Sequence, residues 1–573
     1  MERLNCVGTK MSEQVYIVGL NKGVDYDQFN QEMIASTGAG DIPSRSVDVA
    51  DARPGSQRLT NYSLTDEEAI ALRNDSRVTC VELPVPLDMQ PELASSQVGN
   101  FDKTTSSVGN NLNWGLMRSN QDYNNYTTNN SPFESSFDYV LDGTGVDIVV
   151  QDTGIEPTHP EWHDKDGVSR YRTIDWYDVA SPIDGNTIAQ PQNHDRDLNG
   201  HGTHVAGIAA GRTFGWAKGA HIYSQKLNEL LASNDANTGI PISESFDLIK
   251  IWHQRKNDPL DAIYTGRPTV VNMSWGYSTR ILERDFDINV FPVQPSGNYR
   301  GTTWQYGVDV NSRQNLLDSR GFMRSLYTSS FYNQTYGSPA GNYISIPSRS
   351  AVVDIEIEEL IDAGVHVTIA AGNTPFKADL PGGLDFDNTI TFSNTTVYGV
   401  AINNRPYHRG SSPYSERAFM VGSLDSTPEN SAEDRLANTS TRGPGINICA
   451  PGVNIKSACS TTNTKGAQQY YLNPLFRQVN IGGTSMAAPQ VAGVAACHLQ
   501  LQKDLTPEQL LDQITRQASP TSVQIGTDTD YDCVSIRRAL GTPNRVLRQK
   551  FNAAEDGKMQ GGISLDNCVV QQT

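Results

Sequence analysis

This 573-residue chain has few cysteines: there are seven, an odd number, with no Cys-x-x-Cys cluster. A disulfide framework or a structural zinc site needs closely spaced sets of ligands, so the sequence favours neither. Basic residues are also in deficit, since 45 Lys and Arg face 64 Asp and Glu, for a formal net charge of −19. Because binding to a nucleic-acid backbone needs a basic surface, we expect no nucleic-acid partner.

Long hydrophobic runs are missing as well. Residues 1–20 scatter polar side chains where a secretory signal would need an uninterrupted apolar segment. No later run reaches the roughly 20 apolar residues that cross a bilayer. We therefore expect no conventional export and no membrane partner, and either a cytoplasmic precursor or a component of a viral particle.

Residues 13–84 predict a small α+β domain. Strand patterns at Val15–Leu20 and Val78–Leu83 enclose helix patterns at Tyr26–Ala35 and Thr65–Asn74. The second helix starts at Ser63-Leu64-Thr65-Asp66-Glu67-Glu68, which supplies a cap and acids in the first turn that complement the helix dipole. Residues 85–112 are rich in Ser, Asn and Gln and lack periodicity, so we predict an exposed connection there.

From residue 113 to 540, short apolar strands alternate with helical stretches, which predicts an α/β fold with a doubly wound parallel sheet. Near-continuous apolar strands suit a sheet that is covered on both faces. The interval 277–350 breaks this rhythm and is predicted to be an insertion. The tail, 541–573, receives no assignment.

A serine stands where the sequence predicts the start of a long apolar helix. Gly482-Gly483-Thr484-Ser485 precedes small and apolar residues through position 496. A hydroxyl in the first turn of a helix lies near backbone N–H groups without partners inside the helix, and such groups stabilise an oxyanion. Taken alone, the pattern suits an ordinary helix cap equally well.

Two further segments supply an acid and a base. Asp152 follows a predicted strand, at the sheet edge where functional groups of open α/β folds collect, although Asp before Thr-Gly is also a common turn. His201 lies between two glycines at the start of a predicted helix. The pair His201 and His204 lacks the acid of a His-Glu-x-x-His zinc motif, so we predict no metal and a packed His204.

A fourth segment supplies a hydrogen-bond donor. The strand over 365–370 leads to Asn373, whose carboxamide can donate to an oxyanion, although Asn after Gly is also an ordinary turn residue. Acid, base, donor and nucleophile then follow in the order Asp152, His201, Asn373, Ser485, each at an element boundary. Together they predict nucleophilic catalysis, which no single segment predicts alone.

These segments resemble those of the subtilisin-like serine proteases, the subtilases, and most closely the proteinase K branch. The likeness runs from about Trp114 to about Gln517, with the insertion as a gap. Residues 152–156, 201–207 and 483–489 resemble the Asp-, His- and Ser-boxes of the family, and 272–276 resembles its substrate-binding strand. The resemblance implies the subtilisin-like fold, with flanking helices.

It also implies a serine endopeptidase. Ser485 would attack the scissile carbonyl, His201 would accept and return the proton, and Asp152 would orient the imidazole. Asn373 would bind the oxyanion together with the backbone N–H of Ser485. Two segments would pair with an extended protein or peptide substrate, and their residues are Ser274, Trp275, Gly276, Ala370, Ala371 and Gly372. Trp275 stands where proteinase K and subtilisin have leucine, although kexin-like relatives carry Trp there, which leaves the side-chain preference open.

No cofactor is required for this chemistry. The loop over 211–219 is short, so the tight calcium site of secreted bacterial subtilisins is expected to be absent. Asp164 and Asp166 suit a solvated acidic turn better than another calcium site. A structural calcium therefore stays open without assigned ligands.

The N-terminal domain resembles the propeptide-inhibitor domain of subtilases, on Val15–Leu20 and residues 72–82. The resemblance implies that it assists folding, occupies the cleft with its C-terminal strand, and is removed by self-cleavage between about residues 95 and 110. The chain's own propeptide would then be a partner.

The alternative is a catalytically silent binding or structural protein on the same scaffold, for instance in a virion. The four intact residues Asp152, His201, Asn373 and Ser485 argue against it, because a scaffold role would not require all of them.

Overall fold

The computed structural model describes residues 13–35, 40–84, 90–93, 114–120, 141–164, 166–191, 193–230, 238–282, 295–309, 320–321, 343–392, 402–426, 434–462, 467–519 and 540–549. Within them the α-helices are α1 (Tyr26–Ala35), α2 (Asp66–Leu72), α3 (Trp114–Asn120), α4 (Trp176–Asp184), α5 (His201–Ala210), α6 (Ile242–Asn257), α7 (Ala351–Asp362), α8 (Thr484–Leu501) and α9 (Pro507–Gln517).

The strands of the same residues are β1 (Gln14–Leu20), β2 (Asp48–Asp51), β3 (Leu59–Leu64), β4 (Val78–Glu82), β5 (Gln90–Leu93), β6 (Asp147–Asp152), β7 (Tyr171–Arg172), β8 (His221–Lys226), β9 (Thr269–Met273), β10 (Trp275–Leu282), β11 (Ser296–Tyr299), β12 (Thr302–Gln305), β13 (Tyr343–Pro347), β14 (His366–Ala370), β15 (Thr389–Phe392), β16 (Ile402–Pro406), β17 (Phe419–Leu424), β18 (Ile448–Pro451), β19 (Ile455–Cys459), β20 (Gln468–Tyr470) and β21 (Asn473–Ile481). Among the described helices, none is both long and apolar enough to cross a membrane.

Residues 13–82, called here the N-terminal unit, form an α+β layer with its own core. Its antiparallel sheet has the order β2-β3-β1-β4, and Val18, Phe29 and Tyr62 belong to one buried cluster beneath α1 and α2. The side chains of a strand alternate between its faces, so Ile17 points the other way, toward α7. Both faces of the sheet are therefore covered.

The N-terminal unit rests on α7 of the larger body. Ile17, Leu59 and Cys80 pack against Val352 and Ile355 in a shared apolar cluster. At the end of β4, Glu82 accepts hydrogen bonds from the Ser350 hydroxyl at 2.7 Å and from the Ala351 backbone N–H at 3.1 Å. A carboxylate at this position accepts from a backbone N–H group that has no partner inside α7, and its negative charge complements the helix dipole.

The body is built on a seven-stranded sheet of order β18-β17-β14-β9-β6-β8-β7, in which all neighbours are parallel. Strands β6, β9 and β14 are buried along their whole length. One apolar core joins the sheet to α5 and α8, and a second joins its other face to α4, α6 and α7. The predicted doubly wound α/β fold is confirmed.

The strand order reverses at β6. Strands β7 and β8 lie on one side of it, whereas β9, β14, β17 and β18 lie on the other. Ligand sites of open α/β sheets form at such a switch point, beyond the carboxyl ends of the strands. We call the space there, beside residues 274–276 and 370–372, the cleft.

The predicted connection over 85–112 contains a strand. β5 pairs antiparallel with β10, with Leu93 opposite Trp275 and Glu92 opposite Gly276, while β13 pairs with the later half of β10. Sequence periodicity missed β5 because its partner lies more than 180 residues away in the chain. The interval predicted to contain the cleavage site, 95–110, lies outside the described residues.

The described parts of the predicted insertion also contain strands. β11 and β12 form a hairpin that joins β15 and β16 in a four-stranded sheet, and β13 returns beside β10. At the other end of the chain, the first residues of the predicted tail line the sheet edge. Cys449 of β18 forms a parallel bridge with Val546, with backbone hydrogen bonds of 2.8 Å to Arg545 and Leu547.

Candidate active site

An acid and an imidazole meet at the carboxyl end of β6. Asp152 is the last residue of β6, His201 is the first residue of α5, and both are buried. Nδ1 of His201 lies 2.8 Å from Oδ1 of Asp152, which also accepts the Thr153 backbone N–H at 2.7 Å. We assign the imidazole proton to Nδ1, because Oδ1 acts as an acceptor. Nε2 of His201 has no hydrogen-bond partner among the described residues, which leaves it available as a base.

A glycine lets these two elements approach each other. A Cβ atom at Gly202 would lie 2.1 Å from the Gly154 carbonyl oxygen and 3.2 Å from the Cβ of Asp152. Any side chain at position 202 would therefore push the start of α5 away from the end of β6.

Asp197 organises the same junction, and the sequence analysis missed it. Its buried carboxylate accepts the backbone N–H groups of Gly200 at 2.7 Å and Thr203 at 2.9 Å, and the hydroxyls of Thr203 at 2.6 Å and Thr153 at 3.0 Å. Burial raises the pKa of this carboxyl, against the lowering effect of these bonds. The spacing Asp-x-x-Gly before a helix is a cap signal that could have revealed it.

Ser485 lies in the first turn of α8. Its Oγ donates to the Ser274 backbone oxygen at 2.8 Å, and Oγ of Ser274 donates in return to the Ser485 carbonyl at 3.0 Å. The hydroxyl thus points at the end of β9 in this state.

Asn373 is held against the same helix. Its Oδ1 accepts the backbone N–H of Thr484 at 2.9 Å and the Thr484 hydroxyl at 3.0 Å. Because a backbone N–H can only donate, the carboxamide oxygen faces Thr484 and the amide nitrogen faces away from it. Thr484, which sequence reasoning treated as part of a cap, therefore fixes the orientation of the Asn373 carboxamide, with its amide nitrogen directed away from Thr484.

The two predicted substrate segments lie side by side because they follow neighbouring strands. Ser274 and Gly276 follow β9, whereas Ala370, Ala371 and Gly372 end β14 or follow it. The backbone of Trp275 pairs with β5. Its indole is 1% exposed, donates to Gln151 Oε1 at 3.1 Å, and belongs to the core shared with α6. Trp275 therefore meets the cleft through its backbone.

Ser411 lies between these two segments and was not found from the sequence. Its Oγ is 2.9 Å from the position of a Cβ on Gly276 and 3.4 Å from that of a Cβ on Gly372. The Thr441 hydroxyl is 3.0 Å from the latter position. Because Ser411 is more than 130 residues from Gly276, no local pattern could have signalled it.

The residues that the sequence analysis weighed as metal ligands contact protein atoms. His204 is buried, and its Nε2 lies 3.0 Å from the Ile455 oxygen and 3.1 Å from the Val479 oxygen, as a packed histidine would. Asp164 Oδ1 accepts the backbone N–H groups of Asp166 and Val168, as in a turn. In the loop over 211–219, the Lys218 ammonium donates to two backbone carbonyls, those of Arg212 and Gly215.

Comparison with known proteins defines the class to which this architecture belongs. A sequence model of the subtilase family matches residues 143–548, which is more than half of the chain. The chain belongs to the subtilase family.

Individual relatives are distant. A subtilisin-like proteinase of Encephalitozoon cuniculi (strain GB-M1) is 26% identical over 394 residues, 69% of this chain and 64% of that protein. An extracellular serine proteinase of Thermus sp. (strain Rt41A) is 24% identical over 459 residues, 80% of this chain and 70% of that protein.

Among solved structures, that of a cold adapted subtilisin-like serine proteinase is 23% identical and covers 76% of this chain and 98% of its own, with a TM-score of 0.41. That score is too low to support a fold assignment, which rests on the sheet order and the family match.

Proposed function

We propose that this chain is a serine endopeptidase that hydrolyses peptide bonds and first cuts its own N-terminal segment. The observation that carries the proposal is the 2.8 Å contact between Asp152 and His201, together with a serine in the first turn of α8, which packs in the same core as α5. Membership of the subtilase family and the serine proteinases among its relatives support the reaction class.

The reaction would begin when the Ser485 hydroxyl turns from Ser274 toward Nε2 of His201. Nε2 takes the proton while Oγ forms a bond to the scissile carbonyl carbon, whose π electrons move to the oxygen. Asn373 and the Ser485 backbone N–H donate to that oxyanion. His201 then protonates the leaving amine, the C–N bond breaks, and a water releases the acyl group by the same steps. Asp152 holds the imidazole throughout.

The pairing of β5 supports an extended peptide as substrate and the chain itself as the first one. β5 lies along β10 in the manner of a bound strand, with Leu93 opposite Trp275. Ser274 immediately precedes β10, and its backbone oxygen accepts the Ser485 hydroxyl. We therefore propose the bond between Ala94 and Ser95 as the first to be cut, beside the interval expected from the sequence.

The surroundings of Ser411 support a small residue before the cut. Its hydroxyl fills part of the space between Gly276 and Gly372, and Thr441 lies beside it. A large side chain would have to displace these groups, whereas the methyl group of Ala94 would not.

The test compares the full chain with Ser485→Ala by intact mass and by labelling with a fluorophosphonate. We expect the parent to lose a fragment that ends at Ala94 and to become labelled, and Ser485→Ala to do neither. Ser426→Ala is the matched control, because it removes the same oxygen from a buried serine away from the site. If the folded parent stays full-length and unlabelled, the chain is instead a silent scaffold protein.

A further inference from the structure

An arginine of the N-terminal unit is buried in the body, far along the chain from its partners. The Arg53 side chain is 3% exposed. Its guanidinium donates to Asp247 Oδ2 on α6, from Nε at 3.2 Å and from Nη2 at 3.0 Å, and Nη2 also donates to Glu356 on α7. One planar cation thus joins both helices.

The chain segment that carries this arginine is shaped to the body. Arg53 has φ +46°, a left-handed conformation that costs a non-glycine residue energy. Gly55 approaches α6 so closely that a Cβ there would lie 2.8 Å from the Cβ of Asp247. A backbone conformation of this kind persists only where its surroundings hold it.

The surface of the body that contacts Arg53 is a cluster of three carboxylates on α6 and α7. Carboxylate oxygens of Asp247, Glu356 and Glu359 can all lie within 4.8 Å of one another. Glu359 accepts the Ser56 hydroxyl at 3.0 Å and the Gln57 backbone N–H at 3.1 Å from the N-terminal unit, and the Lys250 ammonium at 2.6 Å from α6. The body thus supplies three carboxylates but only one cation, Lys250, to this cluster. Arg53 of the N-terminal unit supplies a second cation.

We propose that Asp247, Glu356 and Glu359 form a guanidinium-binding exosite, separate from the cleft, and that Arg53 is the latch that holds the N-terminal unit on the body. The ligand class is an arginine side chain on a tight loop. The inference rests on the proposed function, because it makes this unit the inhibitor whose release the latch controls.

Buried and exposed ion pairs at this interface should behave differently. Removing one partner of a buried pair leaves the other charge without compensation, which corresponds to roughly 10²–10³-fold in an opening equilibrium. Lys22 forms an ion pair with Asp362 across the same interface, but its side chain is 70% exposed. Loss of such a pair changes an equilibrium by about fivefold at most.

Cys80 offers a readout that needs no catalysis. Its thiol lies in the apolar contact between the N-terminal unit and α7, so it becomes accessible when the unit lifts off. Cys497 lies in the core of the body and reports global unfolding. The experiment measures maleimide labelling of each cysteine, located by peptide mapping, in full-length chains that all carry Ser485→Ala.

We expect Arg53→Met to raise the labelling rate of Cys80 by roughly 10²–10³-fold, with Cys497 unchanged, and Lys22→Met to raise it by about fivefold at most. Arg53→Lys, which lacks the planar fork, should fall between them. Deuterium uptake of β1 and β3 should match the parent, which excludes unfolding of the unit itself.

A double variant makes the proposal stricter. Glu356→Met alone should also loosen the unit, whereas Arg53→Met with Glu356→Met should loosen it less than the product of the single effects. The double variant leaves no Glu356 carboxylate without its cation, and Asp247 keeps the Lys250 ammonium at 3.3 Å. Equal rates for Arg53→Met and Lys22→Met, or single effects that multiply, would overturn the latch.

The two proposals fail separately. Labelling in the Ser485→Ala background tests the latch whether or not the parent cleaves itself, and absence of cleavage in the parent contradicts the endopeptidase alone.

Discussion

Ser485 and Ser274 hold each other through two reciprocal hydrogen bonds. The hydroxyl of each donates to the backbone oxygen of the other, at 2.8 Å from Ser485 and 3.0 Å from Ser274. Because Ser274 follows β9 and Ser485 opens α8, the pair fixes the start of the helix above the edge of the sheet.

Replacing Ser274 by alanine should weaken activity without abolishing it. The change removes the donor to the Ser485 carbonyl, a loss of about 1 kcal/mol for a neutral hydrogen bond, but keeps the backbone oxygen of residue 274. We expect roughly fivefold lower kcat/KM in a peptide assay, with fluorophosphonate labelling retained. Ser245→Ala is the control, since Ser245 also donates to a helix carbonyl but in α6. Equal losses in both variants would contradict a local effect.

Replacing Asn373 should lower turnover far more than substrate binding. Loss of the oxyanion donor in subtilisin costs about 10²–10³ in kcat, a magnitude that we adopt here. Asn373→Asp is the sharper variant, because its carboxylate can still accept from Thr484 but has no hydrogen to donate. Steady-state kinetics should show a fall of this size in kcat with little change in KM. A change confined to KM would argue against the oxyanion role.

Asp147 should make the body sensitive to acid. It is buried at the start of β6, and although burial raises its pKa, His221, Lys256 and Arg267 outweigh that effect and hold the pKa at about 2. The ordinary value in an unfolded chain is about 3.9. The carboxylate therefore contributes stability that is fully present above about pH 4 and is lost as the pH falls toward 2, by about 2–3 kcal/mol.

Denaturant unfolding of the body between pH 2 and 7 checks this. The free energy of unfolding of the parent should fall more steeply below pH 4 than that of Asp147→Asn, which has no carboxylate to protonate. Parallel pH curves for the two proteins would contradict the assignment.

The segment 540–549 should be part of the folded body. Val546 and Leu547 are fully buried, and the segment lies along β18, so its removal exposes two aliphatic side chains and a sheet edge. Burial of two such side chains is worth about 3–6 kcal/mol. A chain that ends at residue 549 should unfold like the parent, whereas one that ends at 539 should lose about that much stability. Matching unfolding curves for the two truncations would refute this role.

Local patterns predicted most of the longer helices and the four central strands of the large sheet, β6, β8, β9 and β14, but not β7, β17 or β18. The predicted helix Tyr26–Ala35 has those bounds in the structure, because its apolar spacing and its flanking turns are encoded nearby. The runs of apolar residues in β9 and β14 predicted strands that are buried on both faces, as the structure shows. Fold class followed from these elements and their alternation.

Contacts between distant segments could not be foretold in this way. β5 is a strand because β10 pairs with it, and Ser411 lies between the two substrate segments because the sheet order brings a remote loop there. Asp147 and Arg53 likewise owe their surroundings to elements far away in the chain. Asp197 is the exception, since its Asp-x-x-Gly spacing before α5 is a local signal of a helix cap.

If the chain cuts itself as proposed, the pairing of β5 with β10 sets the kinetic order of the first cut. A strand already paired with β10 in the same molecule needs no encounter, so its cleavage should be first-order, with a half-time that does not depend on dilution. Adding active enzyme should scarcely increase the cleavage rate of a Ser485→Ala chain, because its β5 is already paired with its own β10. Each molecule would then mature independently of the others.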